Sequence, residues 1–405
     1  MSKSSAVISP SPGKNPYRPG VGLAPTYLAG RQKEMLRFAA TLRGAPEIPA
    51  NVRLTGLRGV GKTVLLKRFA EISEEISWAA LTLEVEPRHN SSSQLVTVLS
   101  RQLRLLEERL STAVKVRRAL GRSTKAARRL VSVKFEGVQM GLGGDLELES
   151  TELASALAQA VNSALEADKE GLVLLFDEAQ ILRDEKDRQG EHPLSLLLAA
   201  VAGLQKEGFP LALVLCGLPT LAVNLLNART YSERMFRGEE VTSLRSDEAR
   251  AAFLEPLRQT EIKADDALVD AVLTTVDGYP YFIQLWGAEL WDAAAAGQVY
   301  NFDTDLLSLV EEDIYRRLDL DFFEPRVQSL TPAEQDLLTD SASCSYPPLV
   351  ISDLSRRSPK SDGNINVLLG RLVQANVLFR PRKGQYLYTA PGFSEYLKRR
   401  AEKQQ

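Results

Sequence analysis

Cysteine, histidine and tryptophan are scarce here: two, two and three residues in a chain of 405. Cys216 and Cys344 fall in different predicted domains and Cys216 ends an apolar strand, which points to packing rather than a disulfide and suits a reducing compartment. His89 and His192 lie far apart with no metal-spaced Cys or Asp beside them, which argues against a metal cluster. Trp286 and Trp291 are spaced for core packing on one predicted helix. No apolar run approaches the roughly 18 residues that a membrane span needs. Met1–Pro25 is rich in Ser, Pro and Gly and carries no apolar signal core, so a cytoplasmic protein without membrane attachment is expected. An excess of one charge is missing too. Fifty basic residues meet fifty-two acidic ones, a net charge of −2, and no global field calls for nucleic acid. With 44% hydrophobic and 25% charged residues the composition is that of a globular protein, and the length suits two or three domains.

What is present is a phosphate-loop pattern. Gly56-Leu-Arg-Gly-Val-Gly-Lys62-Thr63 satisfies G-x-x-x-x-G-K-[ST] in full. Asn51–Thr55 upstream reads as a buried strand, and Val64–Ala70 downstream has helical spacing. In that context backbone N–H groups and a helix N-terminus converge on a polyphosphate. Candidate nucleotide contacts are Gly56, Arg58, Gly59, Val60, Gly61, Lys62, Thr63 and Val64. Lys62 would reach the β and γ oxygens, and the Thr63 hydroxyl would take a place on Mg²⁺. The other reading is a glycine turn that merely precedes a helix. The pattern implies ATP or a related triphosphate.

A second segment agrees. Gly171-Leu-Val-Leu-Leu-Phe176 has no polar position, as expected of a strand covered on both faces in a parallel sheet, and it runs into Asp177-Glu178. Asp177 is placed to hold Mg²⁺, and Glu178 to polarise a water for in-line attack.

Along the chain, residues 1–25 read as an extended arm, followed by a helix near Gln32–Leu42. After the phosphate-loop helix come a strand (Trp78–Val85) and a helix (Ser91–Leu110). The stretch from Ser111 to Lys134 then carries Lys115, Arg117, Arg118, Arg122, Lys125, Arg128, Arg129 and Lys134 without an acid. It reads as a solvated helix face or as a grip for an acidic partner. Val131–Met140 alternates like a β-hairpin. A helix at Thr151–Ala167, the Asp-Glu strand, a helix at Pro193–Lys206 and a strand at Leu211–Cys216 continue a β/α alternation that argues for a parallel sheet. From Ser246 to about Leu320 the pattern is wholly helical.

Near Leu330 a further unit begins. Thr331-Pro-Ala-Glu334 is a capping box with proline in the first turn. Helices at Ile351–Arg357 and Asn364–Gln374 precede Val377–Arg380, a turn at Pro381–Gly384 and Gln385–Thr389, which is a winged-helix order. From Leu330 onward there are eleven Lys/Arg against seven Asp/Glu, with Arg380, Arg382 and Lys383 clustered at the wing. That charge suits phosphate contact on DNA. The competing use of such a unit is protein packing, since the third helix offers few basic or amide groups to base edges.

Taken together, these motifs resemble AAA+ ATPases of the bacterial and archaeal group related to replication initiators and STAND-type ATPases. The resemblance rests on Leu28-Ala-Gly-Arg31, Gly56–Thr63, Phe176–Gln180, Cys216–Pro219, Tyr231–Phe236, Gly278-Tyr-Pro-Tyr281 and the terminal winged helix. It implies an α/β fold: a parallel-sheet P-loop core of five strands at 26–245 with a basic, hairpin-bearing insertion at about 111–150, an all-helical lid at 246–325 and a winged helix at 326–405. Arg234 stands where such proteins supply an arginine finger to a neighbour's γ-phosphate, which implies self-association; it also reads as a surface arginine. Pro280 matches the G-x-P proline that lies against the nucleotide in STAND ATPases, or else it opens a helix. Two departures stand out. Gly217 and Leu218 follow Cys216 where a polar sensor belongs, and no sensor arginine lies near Tyr281. Three readings follow: an ATP-driven switch or oligomer acting on DNA, a STAND-like ATPase acting on a protein effector, and, weakest, a small-molecule kinase.

Overall fold

The computed structural model describes residues 13–20, 22–119, 144–185 and 191–403, with the side chains of 116–119 and 144–148 left aside. They fall into two compact units. One holds Arg31–Gly56 and Gly61–Thr242; the other holds the N-terminal arm to Gly30, Leu57–Val60 and the chain from Ser243 onward.

The first unit is built on a sheet. Its elements are α1 (Gln32–Arg43), β1 (Val52–Gly56), α2 (Lys62–Glu75), β2 (Trp78–Glu84), α3 (Ser92–Ala119), α4 (Gly144–Glu166), β3 (Gly171–Asp177), α5 (Pro193–Lys206), β4 (Leu211–Gly217), α6 (Thr220–Ala228), α7 (Ser232–Met235) and β5 (Arg237–Val241). The five strands are all parallel, in the order β2-β3-β4-β1-β5. β3 is buried up to Asp177 and β4 throughout, so their unbroken apolar runs are what two covered faces require. Edge strand β5, Arg-Gly-Glu-Glu-Val, has no strand pattern of its own. It becomes a strand by pairing with β1 from Val52↔Arg237 to Gly56↔Val241. Its charges suit an edge.

α3 and α4 are longer than their periodicity suggests. α3 stays helical to Ala119 and α4 begins at Gly144, so both flanks of the expected insertion are helical extensions. They pack on one another and on the sheet through Leu99, Leu103, Leu106, Leu153 and Leu157. The expected hairpin at Val131–Met140 and the basic residues from Arg122 to Lys134 lie outside the described residues, as do residues 1–12 of the arm.

The second unit contains α8 (Ser246–Leu254), β6 (Lys263–Ala264), α9 (Asp266–Val276), α10 (Pro280–Gly297), β7 (Asn301–Phe302), α11 (Thr304–Leu318) and α12 (Glu324–Gln328). Beyond them come α13 (Pro332–Ser341), β8 (Leu349–Val350), α14 (Ile351–Arg357), α15 (Asp362–Gln374), β9 (Leu378–Arg382), β10 (Gln385–Tyr388) and α16 (Phe393–Lys403). The stretch from Ser246 is not wholly helical: β6 and β7 form a short parallel pair. Two residues per strand are too few to show a period-two pattern. Thr331 and Glu334 form the capping box that starts α13. β10 lies between β8 and β9, antiparallel to both, so the hairpin gains a third strand.

The arm is not loose where it is described. Tyr17 is 3% exposed, its ring lies tilted 5.8 Å from that of Phe253, and its hydroxyl donates to the Phe253 carbonyl at 2.6 Å. Phe323 in the π-helical turn Asp319–Phe323 packs against Phe282 of α10 and against Phe393 and Tyr396 of α16.

Candidate nucleotide site

Because the strands are parallel, β1, β3 and β4 end on one edge of the sheet, where open α/β sheets place ligands. At that edge Thr55 of β1 stands opposite Gly217 of β4, and Gly56 opposite Val241 of β5. Gly59 and Gly61 then take φ values of 78° and 91°, which only glycine adopts without steric cost. Gly61 caps α2, whose start has no side-chain cap and no acid in its first turn. The first N–H groups of such a helix have no carbonyl partners within it, and its positive end is unshielded. Lys62 follows and is 8% exposed. Thr63 and Val64 are half-buried, Val60 is buried, and Arg58 and Gly59 are exposed.

Asp177 closes β3, half-buried, and its Oδ1 accepts the Glu178 N–H at 2.9 Å. Glu178 has φ 52° and ψ 30°, a left-handed conformation uncommon for a side-chain-bearing residue and associated with functional turns. The kink sends the chain straight into the turn Ala179–Ile181. On the neighbouring strand, buried Cys216 lies near the Asp177 carboxylate. Burial holds that thiol well above the ordinary cysteine value; the Asp177 and Glu178 carboxylates push the same way and the Lys62 ammonium opposes them. One thiol therefore feels Lys62, Asp177 and Glu178 together, at the end of β4.

A residue that sequence reasoning quoted but gave no role now acquires one. Gln180 accepts the Leu218 N–H at 3.0 Å through Oε1, and its amide donates to the Glu178 carboxylate. A Cβ on Gly217 would lie 2.4 Å from that Oε1. The polar group beside Glu178 at the exit of β4 thus comes from the turn after β3. The glycine that seemed to leave the sensor position empty makes room for it.

Other sequence candidates are dispersed. Arg234 is exposed on the four-residue α7, and its side chain meets no partner among the described residues. Arg31 is buried and donates to the Thr242 carbonyl at 2.6 Å, tying the start of α1 to the end of β5. His89 accepts the Glu86 N–H at 3.0 Å, closing a capping box. Trp286 and Trp291 are core residues.

In the second unit Pro280 occupies the first turn of α10, half-buried, directly after Tyr279. The Tyr279 hydroxyl donates to the Arg58 carbonyl. Arg326 lies close by, its guanidinium 3.6 Å over the Phe322 ring and bonded to the Phe322 carbonyl at 2.8 Å. Burial lowers its pKa; the nearby Tyr279 opposes that shift and the Arg58 charge adds to it.

Residues 27–214 match the family described as AAA ATPase domain, and residues 320–397 match a domain of unknown function (DUF8462). The structure is similar to the Walker-type ATPase of Pyrococcus abyssi, with a TM-score of 0.56 and 18% identity over 92% of this chain and 96% of that one. It is similar also to the Aeropyrum pernix ORC2 protein in its ADPNP-ADP complexes, with a TM-score of 0.55 and 12% identity over 95% and 96%. The fold is that of an AAA+ P-loop ATPase core followed by a helical C-terminal region. No curated protein sequence matches. The loop, Lys62 and the Asp177–Glu178 pair all lie within the span of the AAA ATPase match, whereas the hairpin falls in the second match. Among the described residues no helix is long and apolar enough to cross a membrane.

Proposed function

We propose that this protein binds and hydrolyses ATP with Mg²⁺ and uses the cycle to switch its conformation or assembly state. The observation that carries the reading is that the glycine turn at Gly61, the uncapped start of α2 with buried Lys62 and the Asp177–Glu178 end of β3 belong to one edge of a single parallel sheet. In this reading the N–H groups of the Gly59–Thr63 segment and the uncapped start of α2 bind the polyphosphate, and Lys62 neutralises its β and γ oxygens. A hydroxyl and a carboxylate, Thr63 and Asp177, are the oxygen donors that Mg²⁺ takes, and the metal would offset charge on the phosphate oxygens. Glu178 accepts the proton of the attacking water, and Gln180 holds its carboxylate. Pro280 is a candidate contact for the base of the nucleotide. Arg234, exposed and without a partner among the described residues, is the candidate donor to a neighbouring copy's γ-phosphate, so the active species is a homo-oligomer.

We read residues 326–405 as a winged helix whose wing meets DNA phosphates. Arg380, Arg382 and Lys383 are all exposed, and the outer face of α15 adds Asn364, Arg371 and Gln374. The second reading, a STAND-like ATPase acting on a protein effector, is favoured by the exposed Val367 in the middle of that face, 55% accessible. ATP titration of folded wild type and Lys62→Ala tests the core claim. Losing the charge-assisted contacts of Lys62, each worth about 1.5–3 kcal/mol, should weaken binding at least tenfold. Equal affinity in the two proteins would overturn the assignment.

A further inference from the structure

We propose that Tyr279 is a positioning residue of the phosphate loop, whose hydroxyl sets the Arg58–Gly59 peptide so that the Gly59 N–H faces the polyphosphate. The proposal rests on the nucleotide reading above. A trans peptide is planar, with its C=O and N–H pointing in opposite directions. Tyr279 donates to the Arg58 carbonyl, so it fixes where the next N–H points. The approach is close enough to dictate sequence: a Cβ on Gly59 would lie 2.2 Å from the Tyr279 hydroxyl oxygen. Gly59 is therefore required twice, for its φ of 78° and for the tyrosine that presses on it.

The tyrosine is itself held from every side. It is 2% exposed, with its ring 4.8 Å from Phe282 and 6.4 Å from Phe322, both edge-on. Its N–H bonds the Val276 carbonyl at 2.9 Å. The preceding Gly278 carbonyl accepts the Leu244 N–H at 2.8 Å, and a Cβ on Gly278 would lie 2.1 Å from the Leu244 oxygen. Pro280 fixes the backbone that follows. Burial keeps the phenol protonated, so it acts as a donor throughout the physiological range. A tyrosine that only filled the core would need none of this alignment with a loop carbonyl.

The experiment uses the full chain with Mg²⁺ and a fluorescent ATP analogue. Tyr279→Phe keeps the ring and removes the donor; leaving the Arg58 carbonyl unpaired should raise Kd about five- to tenfold. During turnover the KM for ATP should rise while kcat is nearly kept. Phe282→Leu loosens the same aromatic packing without touching the hydroxyl, and should lower Tm while leaving Kd in place. Wild-type Kd in folded Tyr279→Phe overturns the proposal, and so does an equal rise in Kd for both variants, which would mark general loosening. A wild type that binds no nucleotide sinks the nucleotide reading itself, and this proposal with it.

Discussion

Charge is handled in opposite ways in two regions of this molecule. At the edge of the sheet, Lys62 is 8% exposed and Asp177 and Glu178 are half-buried, each fixed by the end of a strand or the start of a helix. At the hairpin, Arg380, Arg382 and Lys383 stand in solvent, with the Arg380 guanidinium 5.9 Å over the Tyr386 ring. Desolvating a charge is costly and leaving one in water is nearly free. The charges at the sheet edge are therefore held in fixed places, where a ligand has to match them group by group. The hairpin is compatible with DNA or with an acidic protein surface. Buried charge names its partner far better than exposed charge does.

The largest effect that would sharpen this contrast concerns the one exposed residue assigned to the chemistry. An arginine finger is worth about 10³–10⁵ in kcat, so Arg234→Ala should slow turnover at least about 10³-fold while leaving ATP affinity in place. Mixing it with Lys62→Ala subunits should restore part of the rate, since a mixed pair holds one intact site. No recovery on mixing, with wild-type turnover independent of protein concentration, would make Arg234 a surface residue and leave the site complete within one chain.

Glu178→Gln comes next. The amide keeps the shape and loses the basicity, so ATP should still bind and turnover should fall about 10²–10⁴-fold. A rate within threefold of wild type would remove Glu178 as the base.

The smallest effect belongs to the hairpin. Replacing Arg380, Arg382 and Lys383 together by glutamine should weaken duplex DNA binding and flatten its salt dependence by about one unit of slope per lost contact. Salt-insensitive binding, or none by the wild type at low salt, would pass the winged helix to a protein partner.

The loop and the central strands were legible along the chain, where they depend on local spacing. Eight consecutive residues from Gly56 to Thr63 determine the loop, because each position answers to a backbone or ligand constraint within the same turn. The apolar runs of β3 and β4 and the helix Pro193–Lys206 were legible for a similar reason: continuous burial writes a continuous apolar pattern. β5 was not, because an exposed charged edge strand is made by its pairing with β1. The β6–β7 pair was too short to write a pattern at all.

The candidate site divides along the same line. The proposed roles of Lys62, Thr63, Asp177 and Glu178 come from the sequence alone, since each rests on residue type and local spacing within one motif. That Gln180 would fill the place left by Gly217, and that Tyr279 would bind a carbonyl 221 residues away, was decided only in three dimensions. Both are contacts between segments distant in the chain, and a hydrogen bond across such a distance leaves no periodicity or spacing in the sequence to be read.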